Sequence, residues 1–109
     1  MERVYNKLVR DNIPNIIKNK GEEPVVRILE DDEYKIELEK KLYEEYQEVI
    51  EVSGSDRLEE LADMLEVIRA LVKLENNDLN DIIKIADEKN KKRGCFEDRI
   101  FLEKVIESE

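Results

Sequence analysis

Histidine is absent from this sequence, and its absence excludes several familiar kinds of active site. Ser-His-Asp and Cys-His nucleophilic sites, histidine-ligated zinc and Glu-x-x-His di-iron sites all require an imidazole. Cysteine occurs once, at Cys95, which rules out an internal disulfide and a cysteine zinc cluster. Carboxylate, lysine, arginine and hydroxyl groups remain for chemistry. We expect an enzyme built from them to use oxygen-coordinated Mg²⁺, with Mn²⁺ as the alternative ion.

Long apolar runs and an excess of basic residues are also missing. No run approaches the roughly 20 apolar residues that a membrane-spanning helix needs, and no signal-peptide core follows Met1. We therefore expect a cytoplasmic protein that makes no membrane contact. The formal net charge of −10 at pH 7 disfavours DNA or RNA as a partner, because phosphate contacts need a basic surface. A nucleotide is still a suitable ligand where metal ions neutralise its charge.

Proline and glycine are scarce, with two and three residues among 109, and 44% of the chain is charged. This composition is typical of long amphipathic helices, and the length corresponds to a single domain over residues 1–109. The predicted fold is an all-α helical bundle. Its main helices cover about residues 33–52, 56–75 and 79–93. The first two are expected to form an antiparallel hairpin around Gly54, and oligomerisation to complete the bundle.

Particular residues mark the ends of these elements. Asp31 or Asp32 is a suitable N-cap for the first helix, Asp56 opens the second, and Gly94 ends the third. A short helix is predicted around Pro14, in "RDNIPNIIKNKG". The run "PVVRIL" predicts a short strand or an extended arm, and "FEDRIFLEKVI" predicts a shorter final helix or an arm.

Two acids of the first main helix, Glu39 and Glu45, fall among apolar residues, but Glu39 lies near the helix start, where it reaches solvent more easily. At about 100° per residue, an apolar arc runs along this helix, formed by Leu38, Leu42, Tyr46, Val49 and Val52. Glu45 falls inside this arc and Glu48 falls on its margin, whereas Glu44 lies on the opposite side, in water. An inward carboxylate is unusual because ionised glutamates are mostly exposed.

The second main helix is apolar on two sides. Its first stripe consists of Leu58, Leu61, Ala62, Leu65, Ile68 and Val72, and its second stripe of Met64, Val67, Leu71 and Leu74. Glu60 and Asp63 belong to the second stripe. A helix with two apolar sides is either deeply buried or shared with another subunit, which predicts a homodimer or homotetramer.

The turn at Gly54 predicts which acids meet. In an antiparallel hairpin, positions at equal distance from the turn face each other. Glu48 and Glu60 are both six residues from Gly54, and Glu45 and Asp63 are both nine residues from it. The four carboxylates are therefore expected to form two rungs, stacked about 4.5 Å apart along the helix axis.

Four carboxylates at one partly buried site repel one another and lose hydration, so something must neutralise them. We favour a divalent cation; shared protons or a cage of lysine and arginine are the structural alternatives. The third main helix carries basic residues where its inner face continues past Ala86, at Lys89, Asn90 and Arg93. These residues either clamp an anion in front of the acids or simply complement the helix dipole.

With these residues assigned, the chain resembles a known superfamily. "EEYQE" followed by "ELAD" resembles the E-E-x-x-E … E-x-x-D signature of the all-α nucleoside triphosphate pyrophosphohydrolases. That superfamily includes MazG-type enzymes, dimeric dUTPases and phosphoribosyl-ATP pyrophosphatases. The opening "YNKLVRDNIP" and the later "EKNKKRGCF" are similar to its MazG-like, phosphoribosyl-ATP-pyrophosphatase-like subgroup. The spacer between Glu48 and Glu60 is short for the family, which argues against a long substrate loop.

The resemblance implies roles for individual residues. Glu45, Glu48, Glu60 and Asp63 match the family's Mg²⁺ ligands, and Glu48 and Glu45 are the candidate catalytic carboxylates. Glu48 is the candidate base for a water proton. The candidate substrate-binding residues are Lys89, Arg93 and Asn90, with Lys7 and Arg10 of the opening motif. For Lys7 and Arg10, surface charge without a ligand is the alternative interpretation.

The reaction that the resemblance implies is Mg²⁺-dependent hydrolysis of a non-standard nucleoside triphosphate between its α and β phosphates, as in house-cleaning enzymes. Phosphoribosyl-ATP hydrolysis in histidine biosynthesis is an alternative with the same chemistry. A third hypothesis belongs to another class: a non-catalytic helical oligomerisation module whose acids are merely solvated. Under this third hypothesis, Mg²⁺ would leave the melting temperature unchanged.

Overall fold

The computed structural model describes residues 1–108 and confirms an all-α fold. Over these residues there are four helices and no strand: α1 (Ile13–Asn19), α2 (Asp31–Glu51), α3 (Gly54–Leu74) and α4 (Leu79–Arg93). None of these helices is long and apolar enough to cross a membrane. The predicted main helices are all present, with ends that differ from the prediction by up to two residues.

Helices α2 and α3 pack against each other as the predicted antiparallel hairpin. Gly54 has a φ of +62°, a conformation that costs glycine little and most other residues more. It is the first residue of α3, which therefore begins two residues before the predicted start at Asp56. The Arg57 guanidinium donates a hydrogen bond to the Val52 carbonyl at 2.8 Å across the turn. The short connection and this hydrogen bond fix the register of α2 against α3.

The prediction of a side-chain N-cap for α2 was wrong. Asp31 and Asp32 lie in the first turn of the helix, and the N-cap residue is Glu30, whose side chain makes no capping hydrogen bond. Acids in a first turn still favour the helix, because they interact with the positive end of its dipole.

The bounds predicted for α4 are confirmed at both ends. Asp78 is the N-cap and forms a capping box with Asp81, with N–H to carboxylate distances of 3.1 Å and 2.9 Å. Gly94 follows the last turn. The helix contacts α3 only sparingly. Its Ile82 lines a cleft with Ile68 and Val72 of α3, so α4 covers one end of the first stripe and leaves the rest open.

The core of the single chain is small. Among the described residues, the buried apolar side chains are Leu38, Val67 and Val72. The second stripe of α3 faces α2, whereas Leu58, Leu61 and Leu65 of the first stripe are exposed. Tyr46, predicted to face the core, is 47% exposed because the contact with α2 is narrower than its apolar arc.

Two apolar segments are extended. Residues 24–29 form neither helix nor strand, so the strand alternative for "PVVRIL" was wrong and the arm alternative is confirmed. Residues 96–106 likewise form an exposed arm after α4 and not a final helix. With these arms the molecule measures 69 × 33 × 26 Å.

Candidate metal centre

The hairpin brings the four predicted acids together. Glu45, Glu60 and Asp63 each offer a carboxylate oxygen, and these three oxygens lie within 4.8 Å of one another. Glu48 is not one of these three, but it lies close enough to Glu45 and to Glu60 to raise the pKa of both. The pairing by equal distance from Gly54 is therefore present in the folded chain. We call these four residues the acid cluster.

Part of the acid cluster is shielded from water. Glu45 is only 7% exposed, although it is a carboxylate on the apolar face of α2. One oxygen of Glu45 and one of Glu60, Oε2 in both, are buried and have no hydrogen-bond partner among the described residues. A buried, unpaired acceptor costs about 1–3 kcal/mol, and more when it is charged. These two oxygens require either a proton or a cation.

The surroundings of the cluster favour the protonated acids when no metal is present. The pKa of Glu45 is raised to about 7, mainly by burial. A hydrogen bond with Glu48 and the negative charges of Glu48 and Asp63 raise it further. A hydrogen bond with Glu48, followed by burial and the charges of Glu48 and Asp63, also raises the pKa of Glu60. Two carboxylates can share a hydrogen bond only through a proton, so Glu45 and Glu60 hold protons more tightly than ordinary glutamates do.

Basic side chains neutralise the rim of the cluster but not its interior. The Arg10 guanidinium donates to Asp63 Oδ1 at 2.8 Å, with Asp63 itself half-exposed. Lys7 donates to Glu44 Oε1 at 3.0 Å, outside the cluster. The N-terminal segment thus lies across the acid end of the hairpin. It satisfies one ligand oxygen of Asp63 and leaves the buried oxygens of Glu45 and Glu60 without a partner.

This arrangement fits a hard divalent cation. Mg²⁺ and Mn²⁺ prefer carboxylate oxygens, and every donor in the cluster is of that kind. A bound cation would accept the lone pairs of the two unpaired Oε2 atoms, of Glu45 and Glu60, and replace the shared protons. Within the acid cluster, the lysine and arginine cage considered from the sequence makes a hydrogen bond only to Asp63, so protons and a cation remain as the two ways to pair the buried oxygens.

The predicted basic residues of α4 are not at this site in the single chain. Lys89, Asn90 and Arg93 are exposed, and within residues 1–108 none of them forms an ion pair or hydrogen bond with the acids. Helix α4 makes its packing contacts with α3 and not with α2. Their role in binding phosphates stays a prediction.

One basic residue near the cluster was missed in the sequence. Lys41 lies 3.6 Å from Glu44, and its positive charge opposes the rise in the pKa of Glu45. Its spacing of three and four residues from these two glutamates is the signal that could have identified it, because such residues are neighbours on a helix.

Comparisons with known proteins leave the family open. No protein-family model matches the chain, and no solved structure matches it. A stretch of 43 residues is 51% identical to an uncharacterized protein of Mycolicibacterium smegmatis and covers 39% of this chain. That stretch spans 44% of the relative's own length, so the likeness assigns neither a family nor an activity.

Proposed function

We propose that this protein is a Mg²⁺-dependent nucleotide pyrophosphohydrolase. It would cleave a nucleoside triphosphate, with non-standard nucleotides as the favoured class, to a nucleoside monophosphate and pyrophosphate. The observation that carries this proposal is the acid cluster, with the buried, unpaired oxygens of Glu45 and Glu60. The signature motifs that resemble the all-α pyrophosphohydrolases support the same chemistry. We also expect a cytoplasmic protein that works as a homo-oligomer.

The four acids would hold the metal, with Mn²⁺ able to replace Mg²⁺. When bound, the ion would offset the charge of the triphosphate and activate water for attack. The protein must then provide positioning, a base and countercharge. Glu48 lies near both Glu45 and Glu60 and is the carboxylate that we assign as the base.

The proposed hydrolysis moves one proton and exchanges one P–O bond for another. Water attacks one phosphorus of the phosphoanhydride between the α and β phosphates and forms a new P–O bond, while one of its protons passes to a Glu48 oxygen. The bond from that phosphorus to the bridging oxygen breaks, and the bridging oxygen leaves with the other product. Lys89 and Arg93 would offset the charge that develops on the phosphate oxygens, as guanidinium and ammonium groups commonly do. Arg10 and Lys7 lie at the acid end and would contact the same substrate.

The decisive experiment measures pyrophosphate release from standard, deoxy, oxidised and phosphoribosylated nucleotides with Mg²⁺. We expect release from at least one class, and the preferred class decides between house-cleaning and phosphoribosyl-ATP hydrolysis. Glu45→Gln or Glu60→Gln should lower the rate by about a hundredfold or more.

Glu44→Gln is the matched control, because Glu44 neighbours Glu45 in the chain but binds Lys7 outside the cluster; it should retain activity. The absence of release from every nucleotide would contradict the proposal. Equal rates in the native protein and the Glu60→Gln variant would contradict the assignment of the site.

A further inference from the structure

The single chain exposes far more surface than a folded protein of its size. Its accessible surface is 10449 Å² for a mass of 13.0 kDa, whereas a compact monomer of that mass exposes about 6,300 Å². The radius of gyration is 19.3 Å, compared with about 13 Å for a compact domain of this length. The excess of about 4,000 Å² exceeds the 1,000–2,500 Å² per subunit that obligate dimers bury. We therefore expect a second copy of the chain to bury part of this surface.

Two apolar surfaces in the same chain lack a partner. One is the open part of the first stripe of α3, where Leu58, Leu61 and Leu65 are 69%, 43% and 41% exposed. The other is the C-terminal arm, which we define as residues 95–108. Its large apolar side chains are all exposed: Phe96, Ile100, Phe101, Leu102, Val105 and Ile106. Continuous apolar exposure of this size typically marks an interaction surface.

We propose that the C-terminal arm of each copy packs on the first stripe of α3 in a second copy. In an extended segment, side chains alternate between two sides, so Ile100, Leu102 and Ile106 share one side of the arm. Leu58, Leu61 and Leu65 share one side of α3, at spacings of three and four residues. At about 3.3 Å per residue the apolar edge of the arm is about 20 Å long, and at 1.5 Å per residue the open stripe is about 10 Å long, so the arm is long enough to cover the stripe. Because the exchange is reciprocal, two equivalent contacts cover the open stripe and one side of the arm in both copies.

The arm itself is slightly acidic, with four acids against two bases (Glu97, Asp98, Glu103 and Glu107; Arg99 and Lys104), but the basic turn before it favours this placement despite the net charge of −10 on each copy. The first half of α3, which carries the open stripe, is acidic through Asp56, Glu59, Glu60 and Asp63. The last turn of α4, directly before the arm, is basic through Lys91, Lys92 and Arg93. An arm on the partner's stripe would bring the basic turn of one copy close to the acidic half-helix of the other. Complementary charges of this kind set the orientation of an interface.

The contact can be mapped with a photo-crosslinking amino acid at Leu102, which lies on the side of the arm assigned to the stripe, in the chain of residues 1–109. Equal amounts of chain with natural and with heavy nitrogen are unfolded, refolded together and irradiated. Trypsin cuts after Arg57 and Arg69, so a single peptide, residues 58–69, carries Leu58, Leu61 and Leu65. We expect crosslinks on this peptide, half of them between one natural and one heavy chain. Crosslinks only within a chain, or only on other peptides, would overturn the proposal.

A second measurement tests the energy of the contact. Leu102→Ser and Leu61→Ser should each weaken self-association in sedimentation experiments by about tenfold or more, since each removes a large apolar group from the interface. Val25→Ser is the matched control, because Val25 is 94% exposed in another extended segment and should leave association unchanged. A native protein that stays monomeric when concentrated, or a Leu102→Ser variant that associates as the native protein does, would refute the arm contact. Neither result depends on nucleotide hydrolysis, so this inference and the proposed activity can fail separately.

Discussion

Replacement of Glu45 by glutamine should stabilise the metal-free protein at neutral and alkaline pH. Glutamine has nearly the same shape as glutamate but carries no charge, so it removes the burden of a buried anion and adds an amide donor. Glu45 is buried, and its pKa is raised to about 7 by burial, by Glu48 and by Asp63. The substitution therefore tests whether the fold tolerates this carboxylate only because of the ligand it binds.

The size of the effect follows from proton linkage. The pKa of Glu45 is about 7 in the folded chain and about 4.5 for an ordinary glutamate. The folded state therefore binds the proton more tightly than the unfolded state does, and stability falls as the pH rises through this window. The difference corresponds to a loss of about 3 kcal/mol by pH 8. Glu60 adds to the loss in the same direction, since its pKa is also raised.

Urea unfolding in the presence of a chelator, at equal protein concentration, measures this loss. Native protein should be less stable at about pH 8 than at about pH 5, whereas Glu45→Gln should show a much flatter profile. At the higher pH the variant should be the more stable protein by up to about 3 kcal/mol. Glu44→Gln is the control, and its profile should follow that of the native chain through this window. The reasoning is refuted if Glu45→Gln keeps the full pH dependence, or if it is less stable than native protein at both values.

Two further predictions concern the metal and the N-terminal segment. Mg²⁺ should raise the melting temperature of native protein and of Glu44→Gln but not of Glu60→Gln, because an ion stabilises the folded state only where it binds. Calorimetric melting measures this change. An equal rise in all three proteins would contradict the assigned ligands. Arg10→Ala should tighten Mg²⁺ binding by up to about fivefold, since an exposed ion pair is worth at most about 1 kcal/mol and Arg10 competes for Asp63 at 2.8 Å. Titration calorimetry measures that change, and weaker binding would instead mean that Arg10 holds Asp63 in place for the ion.

The helices and the hairpin register could be predicted from the sequence because both depend on local features. Asp78 and Gly94 bound α4 by capping and by backbone conformation, and neither effect requires knowledge of distant residues. The register of α2 against α3 follows from a short turn, since a turn of two or three residues leaves no freedom to slide. For that reason, counting from Gly54 was sufficient to bring Glu45 to Asp63 and Glu48 to Glu60.

Other features depend on tertiary packing and could not be predicted in this way. Tyr46 lies in the apolar arc of α2 but is exposed, because a single partner helix covers only part of such an arc. The contact between Arg10 and Asp63 joins residues 53 positions apart, and no helical periodicity relates them. The N-terminal segment has no regular structure before α1, so its course across the acid end of the hairpin becomes visible only in the folded chain.

The basic turn of α4 shows how the two proposals bear on each other. Lys89 and Arg93 were predicted to face the acids, yet in one chain they are exposed and α4 does not pack on α2. Helical periodicity identifies which side of α4 faces a partner, but it does not say whether that partner belongs to the same copy. The arm begins directly after Arg93 and Gly94. A surface that binds residues 96–106 therefore also keeps the basic turn of α4 close to that surface. If that surface is the first stripe of a second copy, it shares its helix with Glu60 and Asp63. The cations that a triphosphate requires would then reach each acid cluster from the neighbouring chain.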